Sequence, residues 1–353
     1  VQFDQTQTAL ADPQIAAAVA GLRYLSDEET PGISRQRKGT GFTYRAPSGK
    51  PVTDKTALAR IRSLAIPPAW TCVWISPYPD AHLAATGRDA RGRKQYRYNP
   101  EFLQIRSAAK YEHVLAFAES LPRIRKILSE HMSHSGMPRE KVLATVVSLL
   151  EATLIRVGNE DYARQNGSFG LTTLRDRHVR VNGSELKFLF KGKSGKTWRL
   201  SIHNRRVARI VRACQELPGQ HLFQYEDADG SLQRICSSDV NAYLREITGR
   251  DVTAKDFRTW AGTIEAALAL HALSAKGEPV LKKHLRGAFE RVAGRLGNTV
   301  AICRKCYVHP EIVTAYEAGE LLLDVQDRTG ATWDCDAAER AVLAFLKGRL
   351  KAG

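Results

Sequence analysis

Residues 255–263 read KDFRTWAGT, and two cations open a segment that then turns apolar. Lys255 and Arg258 are three apart, which places them on one face at the start of a helix. Ala261, Ile264, Ala267 and Leu268 carry the apolar side onward at helical spacing. A mostly buried helix that begins with two cations requires an anion to offset the burial of charge.

Three other segments pose a similar question. Residues 155–164, IRVGNEDYAR, bring Arg156 to a Gly-Asn break at the end of an aliphatic helix. Arg156 is either a functional cation or the partner of Glu160, four residues on. Residues 190–198, FKGKSGKTW, place Lys193 at the tip of an expected hairpin, where a lysine is either solvated or reaches into a groove. Residues 296–310, LGNTVAICRKCYVHP, hold Asn298 and Tyr307 nine apart; the tyrosine is either a packed aromatic or a nucleophile. Each segment is bland by itself, but their order is not: Arg156, Lys193, Lys255 with Arg258, Asn298, Tyr307.

The rest of the chain supplies the setting. Its 353 residues suggest about two domains. A net charge of +16 points to a polyanionic partner, most often nucleic acid. No run of about 18 apolar residues is present, so no membrane span is expected. The N-terminal stretch, VQFDQTQTALADPQIAAAVAGL, lacks the basic region of a signal peptide. Of six cysteines, Cys303 and Cys306 form a CxxC. Zinc would need a second ligand pair at suitable spacing, and only His309 and Cys335 follow. No metal is expected, and the thiols read as reduced and cytoplasmic.

Residues 32–98 look β-rich, with strand-like runs at 42–44, 72–75 and 95–98, a short helix at 54–64, and turn signals between them. The cations concentrate here: Arg35, Arg37 and Lys38 in one group, and Arg88, Arg91, Arg93, Lys94 and Arg97 in another that alternates with Tyr96 and Tyr98. Cations beside aromatic rings suit a DNA-facing sheet, although an edge strand guarded against aggregation has a similar composition. From residue 100 helices are expected at 101–120, 122–131 and 141–164. A three-stranded β island follows at 177–202, and helices run from Asn204 to the end. The fold class is therefore α+β: a small β-rich domain over residues 1–98, then a mostly helical domain over residues 99–353 that carries the β island.

The ordered constellation resembles the catalytic domain of the type IB DNA topoisomerases, in the compact form found in poxviruses and bacteria. IPPAW at 66–70 and GRDARGRKQYRYNP at 87–100 resemble that family's smaller DNA-clamping domain. The likeness covers roughly residues 32–320. It implies a C-shaped clamp on double-stranded DNA, a monomer associated with the nucleoid, and a reaction without metal, ATP or other cofactor. It also implies roles. Tyr307 is the nucleophile, Arg156 and Arg258 hold the scissile phosphate, and Lys193 is the general acid, with Lys255 assisting. Asn298 stands where the poxvirus and nuclear members have His, and Asn can donate a hydrogen bond but cannot carry charge. The implied DNA contacts are Arg35, Lys38, Arg88, Arg91, Arg93, Lys94, Tyr96 and Tyr98.

This chemistry suits the residue types. Attack on a phosphodiester builds negative charge on nonbridging oxygens, and a planar guanidinium can bind two oxygens at once. Cations around a phenol favour its phenolate, and a sugar alkoxide needs a proton as it leaves. No GxxxxGK[ST] segment is present. Two alternatives share part of the pattern. Tyrosine recombinases share the catalytic fold, but their third motif usually begins with His and continues Leu-Arg-His. A noncatalytic basic DNA-binding protein would use Tyr307 only for packing.

Overall fold

The computed structural model describes residues 12–227, 229–325 and 335–352. The first half of the N-terminal stretch read above for a signal peptide, residues 1–11, lies outside them. The chain forms two compact units, divided between His113 and Val114.

In the first unit Asp12 caps α1 (Pro13–Val19), its carboxylate accepting the Gln14 amide at 2.7 Å. Strands β1 (Ile33–Lys38) and β2 (Gly41–Arg45) form a hairpin. Next come α2 (Lys55–Ser63), then β3 (Thr71–Ile75), β4 (Leu83–Arg88) and β5 (Lys94–Tyr98). Every pairing is antiparallel, and the order is β2-β1-β3-β4-β5. Ile33, Val73, Ile75 and Ala85 of the sheet bury against Ile61 of α2. Two of these strands were not among the expected runs. β1 is mostly charged, and β4 (LAATGR) is too small and uniform to alternate.

The long helix α3 (Pro100–His131) begins in the first unit and ends in the second. Two helices were expected here, split near Pro122; the helix instead runs through it. An interior proline costs about 3 kcal/mol. Leu121 and Ile124 flank it fully buried, so packing of the continuous apolar stripe outweighs that cost.

Helix α4 (Arg139–Thr153) is the centre of the second unit, buried on nearly all sides through Val142–Val147, Leu149 and Leu150. It was expected to continue to Arg164. It ends instead at Leu154, which adopts a left-handed backbone (φ 56°). The apolar run continues through Ile155, so periodicity alone could not place the end. A separate helix α5 (Glu160–Asn166) follows, capped by Asn159, whose side chain accepts the Tyr162 amide at 3.2 Å.

Strands β6 (Val179–Asn182), β7 (Glu185–Lys191) and β8 (Thr197–His203) form the expected antiparallel island in the order β6-β7-β8. After α6 (Arg205–Glu216) an unexpected two-stranded ribbon appears, β9 (Gln224–Glu226) with β10 (Leu232–Arg234). Its turn is built by Asp227, which accepts from the amide and hydroxyl of Ser231 at 3.0 and 2.7 Å. The strands are three residues each, too short to show a period.

Helices then continue: α7 (Ser237–Thr248), α8 (Ala254–Ser274), α9 (Lys282–Leu296), α10 (Val300–Cys306), α11 (Pro310–Glu317) and α12 (Cys335–Ala352). Trp333 lies outside the described residues. The last helix buries Ala338, Val342 and Leu346 and packs on α8 and α11. Arg125 of α3 latches it, reaching Glu151, Asp336 and Glu339 at 2.8, 3.0 and 2.8 Å. Lys347 adds a pair to Glu119 at 2.5 Å.

His178, just before β6, packs between Phe169 and Phe190 (ring centroids 4.4 and 6.3 Å) and accepts the Arg175 amide at 3.0 Å. Burial, aided by the charges of Arg177 and Arg175, lowers its pKa from 6.5 to about 4. The unfolded chain therefore binds more protons between those values, and stability falls as pH drops through that window. We expect the melting temperature to be at its plateau above about pH 6.5 and to decline toward pH 4. His178→Gln should flatten that decline, as read by thermal melts across the range.

Candidate active site

The site forms where the ends of two helices meet the start of a third. Thr253 begins α8 with a reciprocal cap: its amide and hydroxyl both donate to Asp256, at 2.8 and 2.9 Å. One turn on, Arg258 is buried, with 3% of its surface exposed. Its Nη1 donates to the carbonyl of Leu154, and its Nη2 to that of Leu296 at 2.7 Å. Leu154 closes α4 and Leu296 ends α9. Both acceptors are thus orphan carbonyls of helix C-termini, where the backbone dipoles leave partial negative charge. The anion that KDFRTW required is in part supplied by two helix ends.

Arg156 lies in the extended segment after Leu154, not on a helix. That segment is fixed by the turn at Leu171–Thr173: the Leu171 amide donates to the Arg156 carbonyl at 2.9 Å and the Thr172 amide to the Val157 carbonyl at 2.7 Å. Gly158 (φ +106°) and Gly170 make this approach possible; a methyl on Gly170 would lie 2.6 Å from the Gly158 nitrogen. The Arg156 Nη2 donates to Oδ1 of Asn298. Glu160, the alternative partner raised by sequence spacing, forms no pair with it. With its oxygen so engaged, the Asn298 amide has a fixed orientation, and its buried Nδ2 is left without a partner among the described residues.

Tyr307 follows α10 directly, its amide donating to the Cys303 carbonyl at 3.0 Å. Its ring lies 5.4 Å from the Arg258 guanidinium. His309 anchors the following turn: its amide donates to Thr263 at 3.1 Å and its Nδ1 accepts from Glu311 at 3.2 Å. Gly262 of α8 leaves room for the Tyr307 backbone.

Burial lowers the pKa of both guanidiniums. For Arg258 the charge of Arg156 acts in the same direction, while Tyr307 acts against it by charge and by hydrogen bonding. Neither arginine has a carboxylate partner among the described residues, whereas Arg23, Lys94, Arg125, Arg245 and Arg291 each have one. Two mutually repelling guanidiniums, Arg258 buried and Arg156 half-buried, beside a tyrosine make a standing anion site.

The structure thus brings together Arg156, Arg258, Asn298 and Tyr307. Lys193 is exposed at the β7–β8 hairpin tip, in a short turn with Ser194 in a left-handed backbone (φ 62°), and its ammonium makes no contact among the described residues. Lys255 is exposed at the start of α8, and its side chain makes no bond within the cluster. Sequence reasoning missed Trp198, whose indole lies against Gly192 and Gly297. Its signals were the closing tryptophan of FKGKSGKTW and its alternation with Leu200 and Ile202.

In the first unit many basic side chains have internal tasks. Arg35 donates to the carbonyls of Ile66, Pro67 and Trp70 at 3.2, 3.0 and 2.7 Å and stacks on Phe42 at 4.1 Å, so it holds the IPPAW loop. Lys94 pairs with Asp27 and Glu28 at 3.0 and 3.2 Å, Arg93 with Asp89 at 2.7 Å, and Arg88 with the Gly92 carbonyl at 2.8 Å. Arg37, Lys38 and Arg91 are exposed. Tyr96 and Tyr98 stack on one exposed face, with centroids 5.9 Å apart. Cys72, Cys214, Cys236, Cys303 and Cys306 are free thiols, and no metal-binding cluster occurs among the described residues. No described helix is long and apolar enough to cross a membrane.

Comparison with known families agrees with the residues. Residues 99–322 match the family described as the catalytic core of eukaryotic DNA topoisomerase I, and residues 41–89 match the N-terminal domain of bacterial DNA topoisomerase IB. The chain belongs to the type IB DNA topoisomerases. Among individual relatives, the DNA topoisomerase 1B of Acanthamoeba polyphaga mimivirus is 33% identical over 295 residues, covering 81% of this chain and 88% of its own length. The DNA topoisomerase I of Monkeypox virus and the DNA topoisomerase 1B of Vaccinia virus (strain Copenhagen) are each 22% identical, covering 70% of this chain and 76% of theirs. The resemblance read from the sequence motifs is borne out.

Gly262 gives this geometry a simple test. A methyl there would meet the Tyr307 carbonyl at 2.5 Å and its Cβ at 3.3 Å. Gly262→Ala should therefore cost about 1–3 kcal/mol of stability by overpacking, read in denaturant unfolding. A neutral substitution would mean that Tyr307 is not held against α8.

Proposed function

We propose that this chain relaxes supercoiled duplex DNA by cutting and resealing one strand through a covalent bond to Tyr307. The observation that carries the reading is the pair of guanidiniums, half-buried Arg156 and buried Arg258, beside Tyr307 with no carboxylate to neutralise them among the described residues. A phosphodiester is the anion that such a site lacks.

In this mechanism the Tyr307 oxygen attacks the scissile phosphorus and gives up its proton to solvent. Arg156 and Arg258 hold the nonbridging oxygens as charge develops on them; donors placed in this way are typically worth about 3–4 kcal/mol each. The free Asn298 Nδ2 supplies a further donor. The bond to the 5′ oxygen breaks, and Lys193 protonates that oxygen as it leaves. The result is a 3′-phosphotyrosyl ester and a free 5′ hydroxyl. Rotation of the free end releases supercoils, and attack by the hydroxyl reverses the steps. The ester conserves the bond energy, so no ATP is consumed. Lys255 assists from the rim.

We assign DNA clamping to residues 1–98 and chemistry to residues 99–353, with the chain acting as a monomeric C-shaped clamp at the nucleoid. Arg37, Lys38, Arg91, Tyr96 and Tyr98 offer exposed contacts to the duplex. The pairs of Arg93 and Lys94 are on or near the surface, where an ion pair is worth about 0–1 kcal/mol, so these cations can exchange their acids for phosphates. Arg35 contributes by shaping the loop over residues 66–70.

The direct test uses negatively supercoiled plasmid in EDTA, without ATP. We expect relaxation, and its complete loss in Tyr307→Phe with DNA binding retained. Bound but unrelaxed plasmid would instead favour a site-specific recombinase or a noncatalytic DNA-binding relative. A finer test addresses Asn298. Asn298→Asp replaces the donor facing the phosphate with an acceptor and should slow single-turnover cleavage by about 10²-fold or more; an unchanged rate would remove Asn298 from the mechanism.

A further inference from the structure

We propose that Trp198 is a positioning residue that sets the Lys193 hairpin at a fixed distance from the phosphate site. The inference rests on the role assigned to Lys193 above.

Gly192 directly precedes Lys193, and Gly297 directly precedes Asn298. A methyl on Gly192 would lie 2.7 Å from Cδ1 and Nε1 of Trp198, and a methyl on Gly297 would lie 2.8 Å from its Cζ2. The indole therefore touches the hairpin backbone with its five-membered ring and the Asn298 loop with its six-membered ring. Neither contact tolerates a side chain on the glycine, so both approaches are close to the van der Waals limit. Phe190 lies parallel to the indole (1°, centroids 6.3 Å) and fixes its plane.

The two ends of this spacer differ. The Gly297 end is fixed. It caps α9 in a left-handed backbone (φ +63°), the Leu296 carbonyl is held by Arg258, and the Asn298 side chain is held by Arg156. The hairpin is tied from outside at Lys191, whose carbonyl accepts the Phe169 amide at 2.8 Å. Beyond it the hydrogen bonds of residues 192–196 among the described residues are the turn's own, such as Gly192 amide to Lys196 carbonyl at 2.8 Å, and Lys193 is exposed. A rigid plate between a fixed point and the turn beyond Lys191 defines how far the tip stands from the Asn298 loop. An aromatic ring suits this because it has two torsions where Lys193 has four.

A residue that merely fills space would not link these two points. Trp198 also borders a cavity of about 340 Å³ with Leu154, Arg295 and Gly297. It is therefore packed against the main core on one side and open on another.

The leaving-group chemistry separates positioning from packing. An oxygen leaving group needs the proton of the general acid; a sulfur in its place, a far weaker base, does not. The full-length protein is tested in single turnover on a duplex carrying a cleavage site mapped on plasmid DNA, with either oxygen or sulfur at the 5′ bridging position. Lys193→Ala is the reference and should be slow on oxygen, by about 10²-fold or more, and near wild type on sulfur.

Trp198→Ala and Gly192→Ala should reproduce that signature, each slowing the oxygen substrate by about 10²-fold, the scale expected of a misplacement of about 1 Å, with little effect on sulfur. Gly192 has φ −97°, so alanine meets no backbone strain there and only pushes the indole. Trp198→Phe, which keeps a ring in place, should recover most of the rate. Equal slowing of both substrates by Gly192→Ala, or no slowing, overturns the inference even if Trp198→Ala fails to fold. A Lys193→Ala enzyme that does not distinguish the two leaving atoms overturns the role of Lys193 itself, and the inference falls with it.

Discussion

Two like charges, one buried and one half-buried, held together without a counter-ion among the described residues are the constraint around which the catalytic unit is organised. Burying a guanidinium is costly unless its donors are satisfied. Here those that are met are met by dipoles, not by acids. Arg258 bonds the last carbonyls of α4 and α9, and Arg156 bonds an amide oxygen. A carboxylate would satisfy the same donors but would also cancel the field. Carbonyls and an amide hold the arginines in place while leaving their charge available to an incoming anion.

This arrangement accounts for local features that otherwise look irregular. Leu154 takes a left-handed backbone, uncommon for a branched residue, and so ends α4 where its carbonyl meets Arg258. The chain then runs extended past Arg156, with Gly158 and Gly170 in close backbone approach, before a new helix begins. α9 ends one residue before Gly297, and Asn298 follows at once. Gly262 permits α8 to lie against the Tyr307 backbone. Helix ends and small residues, more than loops, set the positions of the reactive groups.

Much of this was legible in the sequence because charge at unusual places leaves a mark. KDFRTW announces a buried cation, and the β island is bracketed by clear turn residues. What could not be read depends on partners distant in the chain. The end of α4 at Leu154 is set by an arginine more than a hundred positions later, so an unbroken aliphatic run concealed it. The basic residues of the first unit looked alike in sequence. Arg35 proved to hold three loop carbonyls and Lys94 to pair with Asp27 and Glu28, distinctions that only the folded sheet makes. Trp198 alternates with Leu200 and Ile202 as any strand residue would, and its significance lies in two glycines it touches from different elements.

The latch on the last described helix has a bearing on how the unit is assembled. α12 covers part of α8, the helix that carries Arg258, and is tied by Arg125 to α3 and α4, made some two hundred residues earlier. On a ribosome those earlier helices emerge first, and the surface that Val342 and Leu346 cover stays bare until the end of the described chain has been synthesised. The packing on the helix that carries Arg258 is therefore finished only after α12 is made, and a nascent chain carries every reactive group before it has this part of the scaffold.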